Sequence, residues 1–278
     1  MEKSPLKIIF FGTPDFTVPI LKTLQENFNL VGVVTSPDKK VGRKQILTPS
    51  AVAEASQNSQ VIKTEAFNDQ TVQQIKELKP DLFVVAAYGK LIPQKVLEIP
   101  RAGALNVHPS CLPKYRGASP IQNAILNNER EICLSIIQMD EKMDHGPVIF
   151  TKEFLLSHND NFQTLSTKLF DEASEILPEI IADFVQEKIT PQPQNDEKAT
   201  FTSLVKKEDG YFDINTPPSP EDLDKLIRAY YPWPNAWTKW NGKIVKFYPG
   251  KLVQIEGKNP VKFEDFLNGY PDFPLKSL

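Results

Sequence analysis

Asn106 and His108 stand two residues apart at the end of an apolar run, 103–108 (GALNVH). Alternate side chains of a β-strand share a face, so this spacing aims a carboxamide and an imidazole to the same side. The carboxamide can donate to an oxygen that gains negative charge, and the imidazole can take or return a proton near neutral pH. That pair suits acyl transfer. An isolated N-x-H is more often a strand end with a satisfied buried histidine, so the surroundings decide. Pro109 ends the strand, because proline cannot donate to a central ladder. A cationic loop follows at 110–118 (SCLPKYRGA), and a helix is expected from about Pro120. Further on, 139–146 (MDEKMDHG) lies between two strand-like runs.

The elements that must hold this pair read as α/β. Strands are expected over 7–12, 30–35, 61–63, 81–87 and 103–108, with helices over 18–27, 51–57 and 69–78 between the earlier ones. Runs that are apolar on both faces and separated by helices indicate a mostly parallel, Rossmann-like sheet. Asn106 and His108 then sit at the carboxyl ends of the strands, where such sheets place their ligands. Strands over 132–139 and 148–154 and a helix over 162–186 complete a domain of residues 1–189. The stretch 190–198 (TPQPQNDEK) has almost no apolar content and reads as an exposed linker within 190–200. Beyond it, 201–278 reads as a small β-rich domain. It has short strands over 201–205, 211–214, 237–240 and 244–248, and a hairpin turn at Asn241-Gly242. A helix over 221–229 is capped by Ser219 and led by Pro220.

The 278 residues are 40% hydrophobic and 24% charged, ordinary for a globular protein. No apolar run reaches 18 residues, and the N-terminal segment lacks the features of a signal peptide, so a cytoplasmic location is expected. Two cysteines, Cys111 and Cys133, argue against a disulfide framework and are expected as free thiols. A net charge of −3 means that any RNA partner must be met through a local basic patch. Three histidines form no convincing ligand cluster, and no metal is expected.

Taken together, Asn106-x-His108, the loop Ser110-Cys111-Leu112-Pro113-Lys114-Tyr115-Arg116-Gly117 and the later Asp144-His145-Gly146 resemble the folate-dependent formyltransferase family. The resemblance extends through 10–16 (FFGTPDF), 36–44 (SPDKKVGRK) and 79–93. It continues in the last third through 207–210, 227–229, 232–234 and 265–269, so it covers nearly the whole chain. It departs at Cys111, where the family has leucine, and at His145, where a small residue is usual; His145 is expected to be exposed.

The resemblance implies a Rossmann-like formyltransferase fold followed by an oligonucleotide-binding-like (OB-like) barrel, here reduced in length. It implies Asn106, His108 and Asp144 as the catalytic trio, with Asp144 orienting His108. It implies 10-formyltetrahydrofolate as donor, held by Ser110, Cys111, Leu112 and Pro113 together with Tyr88 and Leu91. The N-terminal motifs resemble those of the branch that formylates initiator methionyl-tRNA for translation initiation. In that light the loop 36–49 gains meaning: Lys39, Lys40, Arg43 and Lys44 face one acid, Asp38, at the edge that carries the catalytic loops. Such a loop could hold phosphates of an RNA acceptor end. A sugar-nucleotide N-formyltransferase or a formyl-folate hydrolase would use the same trio, and both stay open as alternatives. A monomer is expected, since no oligomerisation feature stands out.

Overall fold

The computed structural model describes residues 3–42, 44–56 and 59–278. The apolar runs become a seven-stranded sheet of β1 Ser4–Gly12, β2 Phe28–Thr35, β3 Gln60–Lys63, β4 Leu82–Ala86, β5 Ala104–His108, β6 Glu131–Gln138 and β7 Val148–Leu155. Their spatial order is β7-β6-β5-β4-β1-β2-β3. Strands β3, β2, β1, β4 and β5 are parallel, while β6 runs antiparallel to β5. Every residue of β4 and β5 is buried, as it must be where helices cover both faces.

The chain winds outward from β1 in one direction through β2 and β3, and in the other through β4 and β5. In open α/β sheets such a switch in direction, here between β1 and β4, marks the carboxyl edge at which ligands bind. The register pairs Phe11 with Val85 and Val85 with Asn106, so the ends of β1, β4 and β5 lie level. That alignment brings Asn106 and His108 to the carboxyl edge of the sheet.

Local signals set the helices. In α1, Val18–Asn27, a proline occupies the first turn, where its missing N–H costs nothing. Ser50 caps α2, Ala51–Ala55, and Asn68 caps α3, Asp69–Glu77, each side chain accepting a backbone N–H three residues on. Val72 and Ile75 of α3 pack with Ile9, Phe11, Phe83 and Val85 in one core. Three further helices are α4 Gln94–Leu97, α5 Pro120–Leu126 and α6 Phe162–Val185. The short α4 has no expected counterpart in the sequence reading. The loop after β2 also carries structure: Lys39–Val41 and Ile46–Thr48 pair as an antiparallel hairpin.

The chain forms two compact units, and neither is a continuous stretch. The first comprises Met1–Arg116, Cys133–Glu153 and Thr167–Thr200; the second comprises Gly117–Ile132, Phe154–Ser166 and Phe201–Leu278. The second unit contains α7, Pro220–Ala229, whose cap Ser219 accepts from the Asp222 amide. It also contains a four-stranded antiparallel sheet of β8 Ala236–Trp240, β9 Lys243–Tyr248, β10 Leu252–Ile255 and β11 Val261–Lys262, followed by α8 Phe263–Gly269. The last two strands and α8 account for 249–278, where no element is expected from the sequence. Phe263, Phe266 and Phe273 join Val245, Phe247 and Val253 in a separate core.

Two expected strands shrink. Only Phe201–Thr202 of 201–205 is strand, and within 211–214 Tyr211 makes a single bridge to Trp237. Phe212 and Ile214 are buried alternately, which imitates a strand pattern, but the chain turns at once through Asp213. Among the described residues no helix is long and apolar enough to cross a membrane.

Candidate active site

Asn106 and His108 leave β5 on one face, as their spacing requires, and both are buried, at 9% and 4% exposure. Asp144 comes from the loop between β6 and β7. Its backbone lies in the left-handed region, φ 48°, a conformation that aspartate tolerates better than most residues. Asn106 Nδ2 donates to Asp144 Oδ1 at 3.0 Å, and Asp144 Oδ2 stands 3.6 Å from His108 Nδ1. The structure therefore brings the three residues together.

The other ring nitrogen of His108 fixes the tautomer. Nε2 lies 3.0 Å from the backbone carbonyl of Tyr115. A carbonyl only accepts, so Nε2 carries the hydrogen and Nδ1 is the atom left to gain or lose a proton. That atom faces the carboxylate. Asn106 uses one of its two amide hydrogens on Asp144, which leaves the second for a substrate oxygen.

The Asp144 loop is held from outside by Gln194, which carries no recognisable pattern in the sequence, and through it by Arg116 of the 110–117 loop. Gln194 Nε2 donates to the carbonyls of both Asp144 and Gly146, at 2.9 and 2.7 Å. Its Oε1 accepts from Arg116 Nε and Nη2, at 3.0 and 2.8 Å. Arg116, buried at 3% exposure, also donates to Asp196 Oδ1 at 2.7 Å. That hydrogen bond, with a smaller part from His145, holds the Asp196 carboxyl below the usual carboxylate range. The stretch 190–198 is mostly exposed, as its composition implies, yet Gln194 turns inward and Gln192 bridges Val148. Gln194, set between Pro193 and Asn195, gives no signal of this in the sequence.

Gly146 is the one position in this loop where a side chain has no room. A Cβ there would lie 1.8 Å from the Gln138 carbonyl oxygen. Gly146→Ala must push the loop off the end of β6. The expected cost is about 1–3 kcal/mol of stability, read from the urea midpoint, together with reduced turnover. An unchanged midpoint and turnover would mean that the loop has slack.

Two expectations need correction. His145 is not free at the surface: Nδ1 pairs with Asp140 at 2.5 Å and Nε2 with Asp196 at 3.2 Å, leaving the side chain 28% exposed. Cys111 and Cys133 are not free thiols but are bonded to each other. Because β6 runs back beside β5, with His108 opposite Ser135, the loop after His108 returns next to Cys133, and the two Cα atoms lie 4.5 Å apart. A separation of 22 residues hides that adjacency in the sequence. The Tyr88 ring packs against Phe11 and Phe67 in the core, and burial pushes its phenol up to about 12.

The remaining expected residues fall as follows. Leu91 is exposed on the same segment as Tyr88. Ser110 is buried, its hydroxyl donating to the Lys114 carbonyl and its own carbonyl accepting from Ser135. Leu112 and Pro113 are joined by a cis peptide bond. Lys39, Lys40 and Lys44 are exposed on the hairpin, whereas Arg43 lies outside the described residues. Asp38, the only acid of that loop, is paired with Lys63 at 2.5 Å. Among the described residues no group of three or more His, Cys, Asp or Glu side chains is placed to hold a metal ion.

Known proteins resemble this chain. The family described as formyl transferase matches residues 6–181, and its C-terminal domain matches 204–253. A methionyl-tRNA formyltransferase of Caldanaerobacter subterraneus is 38% identical over 260 residues, 92% of this chain and 84% of that protein. One from Bacillus licheniformis is 34% identical over 301 residues, 95% of each. Among solved structures, a 4-N formyltransferase from Francisella tularensis superposes with a TM-score of 0.69 at 21% identity. It covers 87% of this chain and 96% of its own. The methionyl-tRNA formyltransferase from Clostridium thermocellum gives 0.61 at 19% identity, covering 92% and 99%. At these identities the structural likeness speaks for the fold, while the sequence matches, spanning both units, speak for descent. On that evidence the chain belongs to the formyl transferase family.

Proposed function

We propose that this enzyme transfers the formyl group of 10-formyltetrahydrofolate to the α-amine of initiator methionyl-tRNA. The observation that carries the acceptor is the basic hairpin, which leaves the same carboxyl edge of the sheet as the loop after His108. The names of the relatives similar over nine-tenths of the chain support the same reading. Asn106, His108 and Asp144 are the catalytic residues in this reading, and Ser110–Pro113 with the 88–91 segment help hold the donor.

The chemistry follows from what each group can give. A free α-amino group has a pKa of about 7.7–8.0, so a useful fraction is unprotonated at neutral pH and can attack the formyl carbon. The second amide hydrogen of Asn106 meets the formyl oxygen as it becomes negative. His108 Nδ1 accepts the proton shed by the amine and returns it to the departing nitrogen of the donor. The Tyr115 carbonyl holds the ring in place, and Asp144 balances the imidazolium charge while it lasts. The donor is a substrate, and these residues fit it because they offer one hydrogen-bond donor and one proton carrier on a single face.

The hairpin suits an RNA end more than a small acceptor. Lys39, Lys40 and Lys44 stand beside Val41, Ile46 and Leu47, which are all more than half exposed. Cations can meet phosphates while the aliphatic tip packs on bases; a nucleotide sugar needs neither so many charges nor such a tip. Replacing Lys39, Lys40 and Lys44 together by alanine is expected to raise KM for methionyl-tRNA about tenfold or more, with kcat changed much less. The dependence of log KM on log salt should flatten by about 0.7–0.9 for each phosphate that is no longer neutralised. An unchanged KM and salt slope would remove the hairpin from RNA binding and with it the main support for this acceptor.

A further inference from the structure

We infer that Gln194 is a positioning residue for the reaction, setting the Asp144 carboxylate through two backbone carbonyls and itself oriented by Arg116. This rests on the role given to Asp144 above. The reaction needs a carboxylate fixed against Asn106 and His108, yet Asp144 lies in a loop and not on a strand. Its side chain is directed by the backbone at 144–146, which passes through a left-handed residue and a glycine with no room for a Cβ. A single amide nitrogen spans that turn. Gln194 Nε2 has two hydrogens and places one on the carbonyl at 144 and one on the carbonyl at 146.

The amide can sit only one way round. Turned over, its oxygen would face two carbonyl oxygens and its NH2 would face a guanidinium, so every contact would become repulsive. Arg116 enforces the orientation by meeting Oε1 with two N–H groups. The arginine is tied to the other half of the site as well. The preceding residue, Tyr115, gives its carbonyl to His108 Nε2. The pair Tyr115-Arg116 thus reaches His108 directly and Asp144 by way of Gln194, which keeps the two reacting groups in mutual register. Asp196 adds a second attachment to Arg116, so the strap formed by residues 190–198 does not depend on Gln194 alone for docking.

That last point makes a sharp test possible. Gln194→Glu keeps the length and can still accept from Arg116, so the strap stays docked, but a carboxylate cannot donate to the two carbonyls. Gln194→Met removes both functions at similar size. A misplacement of about 1 Å in a reacting group can cost about 10²-fold, so both variants should lose about 10- to 100-fold in kcat. KM for the formyl donor should change by less than about threefold, since ground-state binding is untouched. In an Asp144→Asn background, followed by single-turnover transfer of labelled formyl, Gln194→Glu should add less than about twofold, because residues acting through one another are not additive. Limited proteolysis across 190–198 reports whether the strap remains in place.

A Gln194→Glu enzyme with native kcat, or full additivity with Asp144→Asn, would overturn the inference. If Asp144→Asn itself keeps native turnover, the assignment of Asp144 fails first. A strong Asp144→Asn effect with a silent Gln194→Glu would remove Gln194 alone.

Discussion

Asp144→Asn is expected to lower kcat by about 10²–10⁴-fold, the range seen when the acidic partner of a catalytic histidine is neutralised. The substitution keeps shape and volume. The new amide can still accept from Asn106 through its oxygen, in the place of Oδ1. Its NH2 then occupies the position of Oδ2, 3.6 Å from His108 Nδ1. A donor there cannot balance an imidazolium, and its dipole opposes the proton that Nδ1 must accept. The side chain is 13% exposed and touches the site, not the main core, so thermal unfolding should stay within a few degrees of the parent. The check is kcat beside a circular-dichroism melt. Near-native turnover would take Asp144 out of the chemistry.

Removing the amide donor should be nearly as severe. Asn106→Ala is expected to cost about 10²–10³-fold in kcat, the usual consequence of losing one donor to a developing oxyanion. KM for the formyl donor should move little, because the negative oxygen exists only on the way to and from the transition state. The substitution also takes away the hydrogen bond that steadies Asp144 Oδ1. An Asn106→Asp variant should be no better than alanine, since a second carboxylate would face Asp144 and repel the charge it is meant to receive. A tenfold rise in KM with kcat intact would instead assign Asn106 to ground-state binding.

Much of this site is legible in the sequence because it depends on short-range periodicity. The strand period of two puts Asn106 and His108 on one face, and uninterrupted apolar runs report strands buried on both sides. The catalytic loop can be read because proline, glycine and cations mark its turns. The properties that depend on strands meeting in space cannot be read. Cys111 and Cys133 become neighbours only when β6 folds back along β5. The packing of the Tyr88 ring against Phe11 and Phe67 likewise joins segments that are distant in the chain. Gln194 has no local signature, because its partners lie near positions 116 and 144–146. His145 likewise finds Asp140 close by, but its second partner, Asp196, is supplied by the strap.

The second unit shows the same divide from the other side. Alternation at Phe212 and Ile214 suggests a strand, but those residues are buried by packing around a turn. Conversely, β11 is too short to announce itself, and α8 presents two phenylalanines that only the folded core explains. This unit is a four-stranded sheet with its own core, a smaller object than a closed five-stranded barrel.

Transfer of the formyl group to an amine carried by RNA is tested most directly by incubating the protein with 10-formyltetrahydrofolate labelled in the formyl group. One sample receives charged initiator methionyl-tRNA, a second receives amino-sugar nucleotides, and a third receives no acceptor. The expected result is label on the methionyl-tRNA, little on the sugars, and slow loss of donor without acceptor. Label appearing only on a sugar, or free formate released at the same rate in all three, would contradict the proposed reaction.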